Sequence, residues 1–152
     1  MTSLESVPPP EAPAGSGATF RRWRGLEDIP GMAAANARLR GHIGLPEPID
    51  VDGMLHRYTH LVNSNAATDC ILVERAGEVR GYARVEWHDL ADGDRAYDLT
   101  TVLEPAAWGL GLMEALIGWG EMRAGEIALE HPTGRRSHLA NYVFGGDTEL
   151  TT

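Results

Sequence analysis

The feature that most constrains this chain is a change of hydrophobic period partway along it. From Cys70 the pattern has period two: Cys70-Ile71-Leu72-Val73-Glu74, then Val79-Arg80-Gly81-Tyr82-Ala83-Arg84-Val85-Glu86-Trp87, with Ala76-Gly77-Glu78 between them. β-Branched and aromatic residues alternating with charged ones across a glycine turn predict a β-hairpin. A second turn at Ala91-Asp92-Gly93-Asp94 leads into Arg95-Ala96-Tyr97-Asp98-Leu99-Thr100-Thr101-Val102-Leu103, the third strand of an antiparallel meander. After Pro105 the period becomes helical, with Leu112, Leu116, Ile117, Met122, Ile127 and Leu129 mostly on one side and an end near His131-Pro132. Gly118, Gly120 and Gly125 lie inside that helix at about 1 kcal/mol each relative to alanine, so packing must hold it. Beyond Gly134, Ser137 to Phe144 reads as a last strand, parallel to its predecessor because a helix crosses over between them.

The first half supplies fewer signals. Residues Met1 to Ala18 contain Pro8-Pro9-Pro10 and Pro13 among small residues and are expected to form a disordered, proline-rich tail. Order is expected from Thr19, where Phe20 and Trp23 flank arginines in a short strand. A helix opens at Gly25-Leu26-Glu27-Asp28 and runs to about Arg40, with Pro30 tolerated in its first turn. Gly44, Pro46 and Pro48 break the chain, and Asp50 or Asp52 caps a second helix through Met54, Leu55, Tyr58, Leu61 and Val62. The result is one domain, residues 19–152, preceded by the tail.

Composition narrows the functions. The formal charge of -9 argues against a sequence-independent grip on nucleic acid or anionic lipid. No lysine is present, which removes Schiff-base, pyridoxal and P-loop chemistry. Cys70, the one cysteine, can form neither an internal disulfide nor a thiolate zinc site and is expected to be a buried, inert thiol. No apolar run approaches the roughly 20 residues of a membrane helix, and no basic start precedes an apolar stretch, so a cytoplasmic protein is expected. His56 and His60 have metal-ligand spacing, but Arg57-Tyr58-Thr59 between them lacks the glutamate of a zinc protease, and no metal site is expected. Glu27, Asp28 and Glu47 read as helix-start and loop charges, and Trp119 as a core residue.

The order strand, two helices, three-strand meander, glycine-bearing loop, helix, strand resembles the GNAT superfamily of acyl-CoA N-acyltransferases. Its specific mark is the exit of the fourth strand, Leu103-Glu104-Pro105-Ala106-Ala107-Trp108-Gly109-Leu110-Gly111-Leu112-Met113. Gly109, Leu110, Gly111 and Leu112 fall on the family's glycine-x-glycine-aliphatic core. Trp108 stands for its basic residue and Met113 for its closing glycine, so the loop is a degenerate one. Amides without intrahelical partners at such a turn can hold a diphosphate if small residues let it approach. Met113, in the first helical turn, is expected to fill part of that space, and Trp108 removes a charge-assisted contact.

The resemblance implies an α+β fold, a mixed and mostly antiparallel sheet flanked by helices, lacking the family's last helix and strands. It implies acetyl-CoA as cosubstrate, bound by Leu103 and Trp108 to Met113, and transfer of an acetyl group to a small amine. Asp98 is the candidate base, since the family often carries glutamate in this strand. The short C-terminus, Gly145 to Thr152, has no room for the helix bearing the family's tyrosine acid. The chain is most similar to the first half of tandem GNAT proteins, and a second domain or subunit is expected to join the uncovered sheet edge. The other reading is a non-catalytic GNAT-like module that binds or supports such a partner.

Overall fold

The computed structural model describes residues 6–44, 50–131 and 137–143. Its elements are β1 (Ala18–Arg22), a 3₁₀ turn at Leu26–Asp28, α1 (Ile29–Ile43), α2 (Val51–Thr59) and α3 (Ala66–Asp69). They continue with β2 (Cys70–Arg75), β3 (Glu78–Asp89), β4 (Arg95–Leu103), a 3₁₀ turn at Pro105–Ala107, α4 (Leu112–Glu130) and β5 (Ser137–Val143). The strands lie in sequence order, antiparallel from β1 to β4 and parallel between β4 and β5. The expected α+β architecture and crossover helix are thus present. The loop around Pro46, Glu47 and Pro48, the turn at Gly134, and Phe144 with the tail after it lie outside the described residues.

Strands β2, β3 and β4 feed both sides of the sheet. Phe20, Ile71, Val73, Ala83, Val85, Tyr97, Leu99 and Leu103 pack under α4, while Cys70, Leu72, Tyr82 and Val102 pack under α1 and α2. The run Cys70 to Val73 is buried on both faces, as an unbroken apolar strand requires. Burial pushes the Cys70 thiol up to about 12, so it is an inert core group.

Two glycines set how closely the pieces approach. A Cβ on Gly120 would run into the Leu99 side chain, so at this point α4 rests on β4 with only Leu99 between them. A Cβ on Gly81 would strike the carbonyl of Val102 on the paired strand. Next to it the β2–β3 register slips between Val73 and Glu74, leaving Arg80 out of the pairing. Arg80 instead joins Arg38 of α1 in binding Glu104, whose carboxylate is almost fully buried at the exit of β4. Those ion pairs tie α1, β3 and the start of the glycine loop together.

Three local expectations change. Asp50 is the N-cap of α2, accepting from Gly53 N at 2.6 Å, but α2 ends at Thr59, so Leu61 and Val62 lie beyond it and Val62 is exposed. The buried side of α4 is Leu112, Met113, Leu116, Trp119, Gly120, Ala124 and Ile127; Met122 and Leu129, read as apolar-face residues, point to solvent. The tail through Ala18 is the third. Among its described residues, Val7 and Ala12 pack against the α4 core, and Trp119 Nε1 donates to Val7 O at 3.1 Å. Val7 N donates to Glu126 at 2.9 Å and Arg22 donates to the carbonyls of Ser6 and Val7. Residues 6–17 therefore form a strap along α4, held by long-range hydrogen bonds that proline content does not forbid. No helix among the described residues is long and apolar enough to cross a membrane.

Candidate functional site

The strand-to-helix junction is built from its backbone. Trp108 N bonds Pro105 O at 3.1 Å and ends the 3₁₀ turn, and the first bond onto the helix is Ala115 N to Gly111 O at 3.3 Å. Gly109 and Gly111 both take left-handed conformations, φ +79° and +80°, which glycine adopts without the strain a Cβ would bring. The amides from Gly109 to Glu114 thus precede the intrahelical ladder, at the positive end of a 19-residue helix. Space around Gly109 is open: a Cβ there would meet nothing within 4 Å.

The two departures from the family pattern have different consequences. Met113 does not fill the loop, because it is 2% exposed and turned into the core beneath α4. That corrects the expected obstruction. A residue in the first turn of a helix lying on a sheet has its side chain directed inward once Leu112 and Leu116 also face the core. Trp108 is anchored from below, its Nε1 donating to Leu103 O at 2.8 Å, with His42 of α1 edge-on to its ring at 5.1 Å. Leu103 and Leu112 are core residues, Trp108 and Leu110 are half-buried, and Gly109 is the exposed residue of the stretch from Trp108 to Met113. The strap reaches the same place: Pro13 Cγ lies 3.1 Å from the position a Gly111 Cβ would take.

Asp98 sits elsewhere on β4, on the opposite face of the sheet from α4. It is five residues before Leu103, roughly 17 Å along the strand. Its carboxyl is 15% exposed; Oδ2 meets His88 Nδ1 at 3.1 Å, and Oδ1 is buried with no hydrogen-bond partner. Burial pushes its pKa up, Glu86 on the paired strand adds to this, and His88 opposes both. An aspartate so placed holds a proton more readily than an ordinary one. His88 was not singled out in the sequence, and its only signal is its position near Asp98 on the neighbouring strand.

The same face continues into a cleft of about 360 Å³ lined by Arg57, His60, Leu61, Val62, Arg84 and Glu86. Arg84 is 8% exposed, its Nη1 is 2.9 Å from Glu86, and its guanidinium lies over the Tyr58 ring at 5.4 Å. The His56 and His60 rings lie 4.4 Å apart between centroids, tilted at 38°, and His60 Nδ1 lies 2.9 Å from His56 O, so their spacing serves the end of α2. Among the described residues no group of three or more His, Cys, Asp or Glu could hold a metal.

The five-stranded mixed sheet with helices on both faces is similar in fold to a solved GCN5-related N-acetyltransferase. The solved structures it resembles bear this out. A GCN5-related N-acetyltransferase from Sphaerobacter thermophilus matches with TM-score 0.70 and 20% identity over 88% of this chain, and the chain spans 40% of its length. A predicted acetyltransferase from Clostridium acetobutylicum, solved with acetyl-CoA, matches with TM-score 0.57 and 18% identity, covering 88% of this chain and 84% of that one. Glucosamine-6-phosphate N-acetyltransferase from Arabidopsis thaliana matches with TM-score 0.55 and 10% identity, covering 88% and 86%. No family model matches the sequence, and no curated protein does.

Proposed function

We propose that this chain is an acetyl-CoA-dependent N-acyltransferase domain acting on a small amine, and that a second domain or subunit continues the sheet beyond β5. The observation carrying this reading is the outward-facing amide turn at Gly109-Leu110-Gly111, with Met113 withdrawn into the core. The residues fit a diphosphate: two left-handed glycines, open space at Gly109, and free N–H groups at a helix start. Gly109, Leu110, Gly111 and the first-turn amides of Leu112 and Met113 would hold it. Leu103 and Trp108 shape the floor, with Trp108 contributing packing where a basic side chain would contribute charge.

Bound there, acetyl-CoA supplies an acetyl group activated as a thioester. The acceptor enters as an ammonium, since an alkylamine with a pKa near 10 is protonated at neutral pH. Asp98 takes one of its protons, and its burial and unpaired Oδ1 make it a better acceptor than a solvated carboxylate. The freed nitrogen forms the amide bond as the C–S bond breaks, and its second proton passes through solvent to the leaving sulfur. His88, hydrogen-bonded to the other oxygen, holds the Asp98 carboxyl in place.

Calorimetry of the full chain with acetyl-CoA, followed by thiol release in the presence of small amines, tests this. The expected result is binding at about 1 mM or tighter with amine-dependent release of thiol. Absence of binding at millimolar acetyl-CoA overturns it.

A further inference from the structure

The cleft between the end of α2 and β3 has a charge that an amine alone does not need. Two of its lining residues, Arg57 and Arg84, are permanently cationic, and only Glu86 is anionic. This excess lies in a chain whose formal charge is -9, so it is a local departure from an acidic surface. A bare ammonium brought here would meet like charge. Arg84 is also held in place: it sits on the Tyr58 ring, one nitrogen is tied to Glu86, and the residue is 8% exposed. A guanidinium fixed by a ring and a carboxylate loses little freedom when it binds an anion. Arg57, exposed at the last turn of α2, completes the lip.

The cleft stands beside Asp98. Glu86 pairs with Asp98 and Arg84 with Thr100, so Arg84 and Asp98 are diagonal neighbours on one face. Such neighbours lie roughly 7–8 Å apart. That separation spans a small molecule with an ammonium at one end and an acidic group at the other.

We propose that this cleft is an anion subsite, and that the acceptor is a small amine bearing a carboxylate or a phosphate a few bonds from its nitrogen. The identity of the amine as acceptor rests on the acyltransferase reading. The binding preference does not, and it is measured without any acyl donor.

Titration of the full chain, followed by NMR, compares O-phosphoethanolamine and β-alanine with ethanolamine and propylamine. The anionic amines bind at least about tenfold more tightly, the effect of one charge-assisted hydrogen-bond pair. The ratio between the first two tells phosphate from carboxylate. Arg57→Ala, an exposed change that leaves the core intact, removes most of the preference, and Arg84→Lys does the same where it folds. Equal binding of amines with and without the anionic group, no binding by any of the four, or a preference unchanged in Arg57→Ala overturns the proposal. A preserved preference together with no acetyl-CoA binding would instead count against the acyltransferase reading alone.

Discussion

The two faces of β4 are made of the same nine residues and have opposite characters. Toward α4, Tyr97, Leu99 and Leu103 are buried, and Gly120 lets the helix descend until only Leu99 separates it from the strand. On the other face Asp98 and Thr100 are half-buried, next to Glu86, His88 and the Arg84 cleft. Alternation of side chains along a strand makes this possible. The dry face fixes where α4 starts and so where the Gly109–Gly111 amides point. The open face carries the titratable groups. A change on one should disturb stability and on the other chemistry, with little exchange between them.

The largest expected effect is on the open face. Asp98→Asn lowers turnover by about 10²–10⁴-fold, the contribution of a positioned base, while the thermal midpoint stays level or rises. A loss of stability instead would place Asp98 among structural residues. On the dry face Leu99→Ala costs about 2–5 kcal/mol in urea unfolding. Gly120→Ala costs about 1–3 kcal/mol through overpacking. In the double variant the added methyl occupies the space Leu99 vacates, so the two costs should be clearly less than additive. Additive costs would mean that α4 does not rest on Leu99. Gly118, where a Cβ would meet nothing within 4 Å, gives the opposite sign: Gly118→Ala stabilises by about 0.4–1 kcal/mol.

The smallest effects are in pH. Asp98 must be ionised to accept a proton, and its pKa is raised, so activity falls on acidification at a higher pH than for an ordinary aspartate. Asp98→Asn should remove that limb from the residual rate. His131 bears on stability. Its pKa is lowered from 6.5 by burial and by Arg95, while its Nδ1 lies 2.6 Å from Tyr97 Oη. The unfolded chain then takes up a proton first, so the contribution is present above about pH 6.5 and is lost as pH falls through the folded value. His131→Gln should flatten unfolding stability in that window.

The sheet was legible because its strands are runs rich in β-branched and aromatic residues bounded by glycine turns, a signal confined to the strand itself. β2, β3 and β4 accordingly fall within a few residues of their expected limits. What escaped depends on contacts distant in sequence. Met122 and Leu129 look apolar in a helical window, yet α4 meets the sheet along Gly120 and Ala124, and small residues leave little mark in such a pattern. The strap escaped because proline-rich composition reads as disorder, whereas its anchors, Trp119, Glu126 and Arg22, lie up to 119 residues away. In the site, the glycine turn was visible from local sequence and Asp98 from its place in the strand. His88, Arg84 and Glu86 were not, because cross-strand register brings them beside Asp98. The inward turn of Met113 follows from α4 lying flat on the sheet, which its own residue type does not disclose.

The central claim concerns one run of backbone amides, and it can be tested on them directly. Amide chemical shifts of the full chain, recorded while coenzyme A is added, should move most at Gly109, Leu110, Gly111 and the first turn of α4, with Leu116 to Ile127 nearly still. Shifts confined to the Asp98 face, or none at millimolar coenzyme A, would contradict the account.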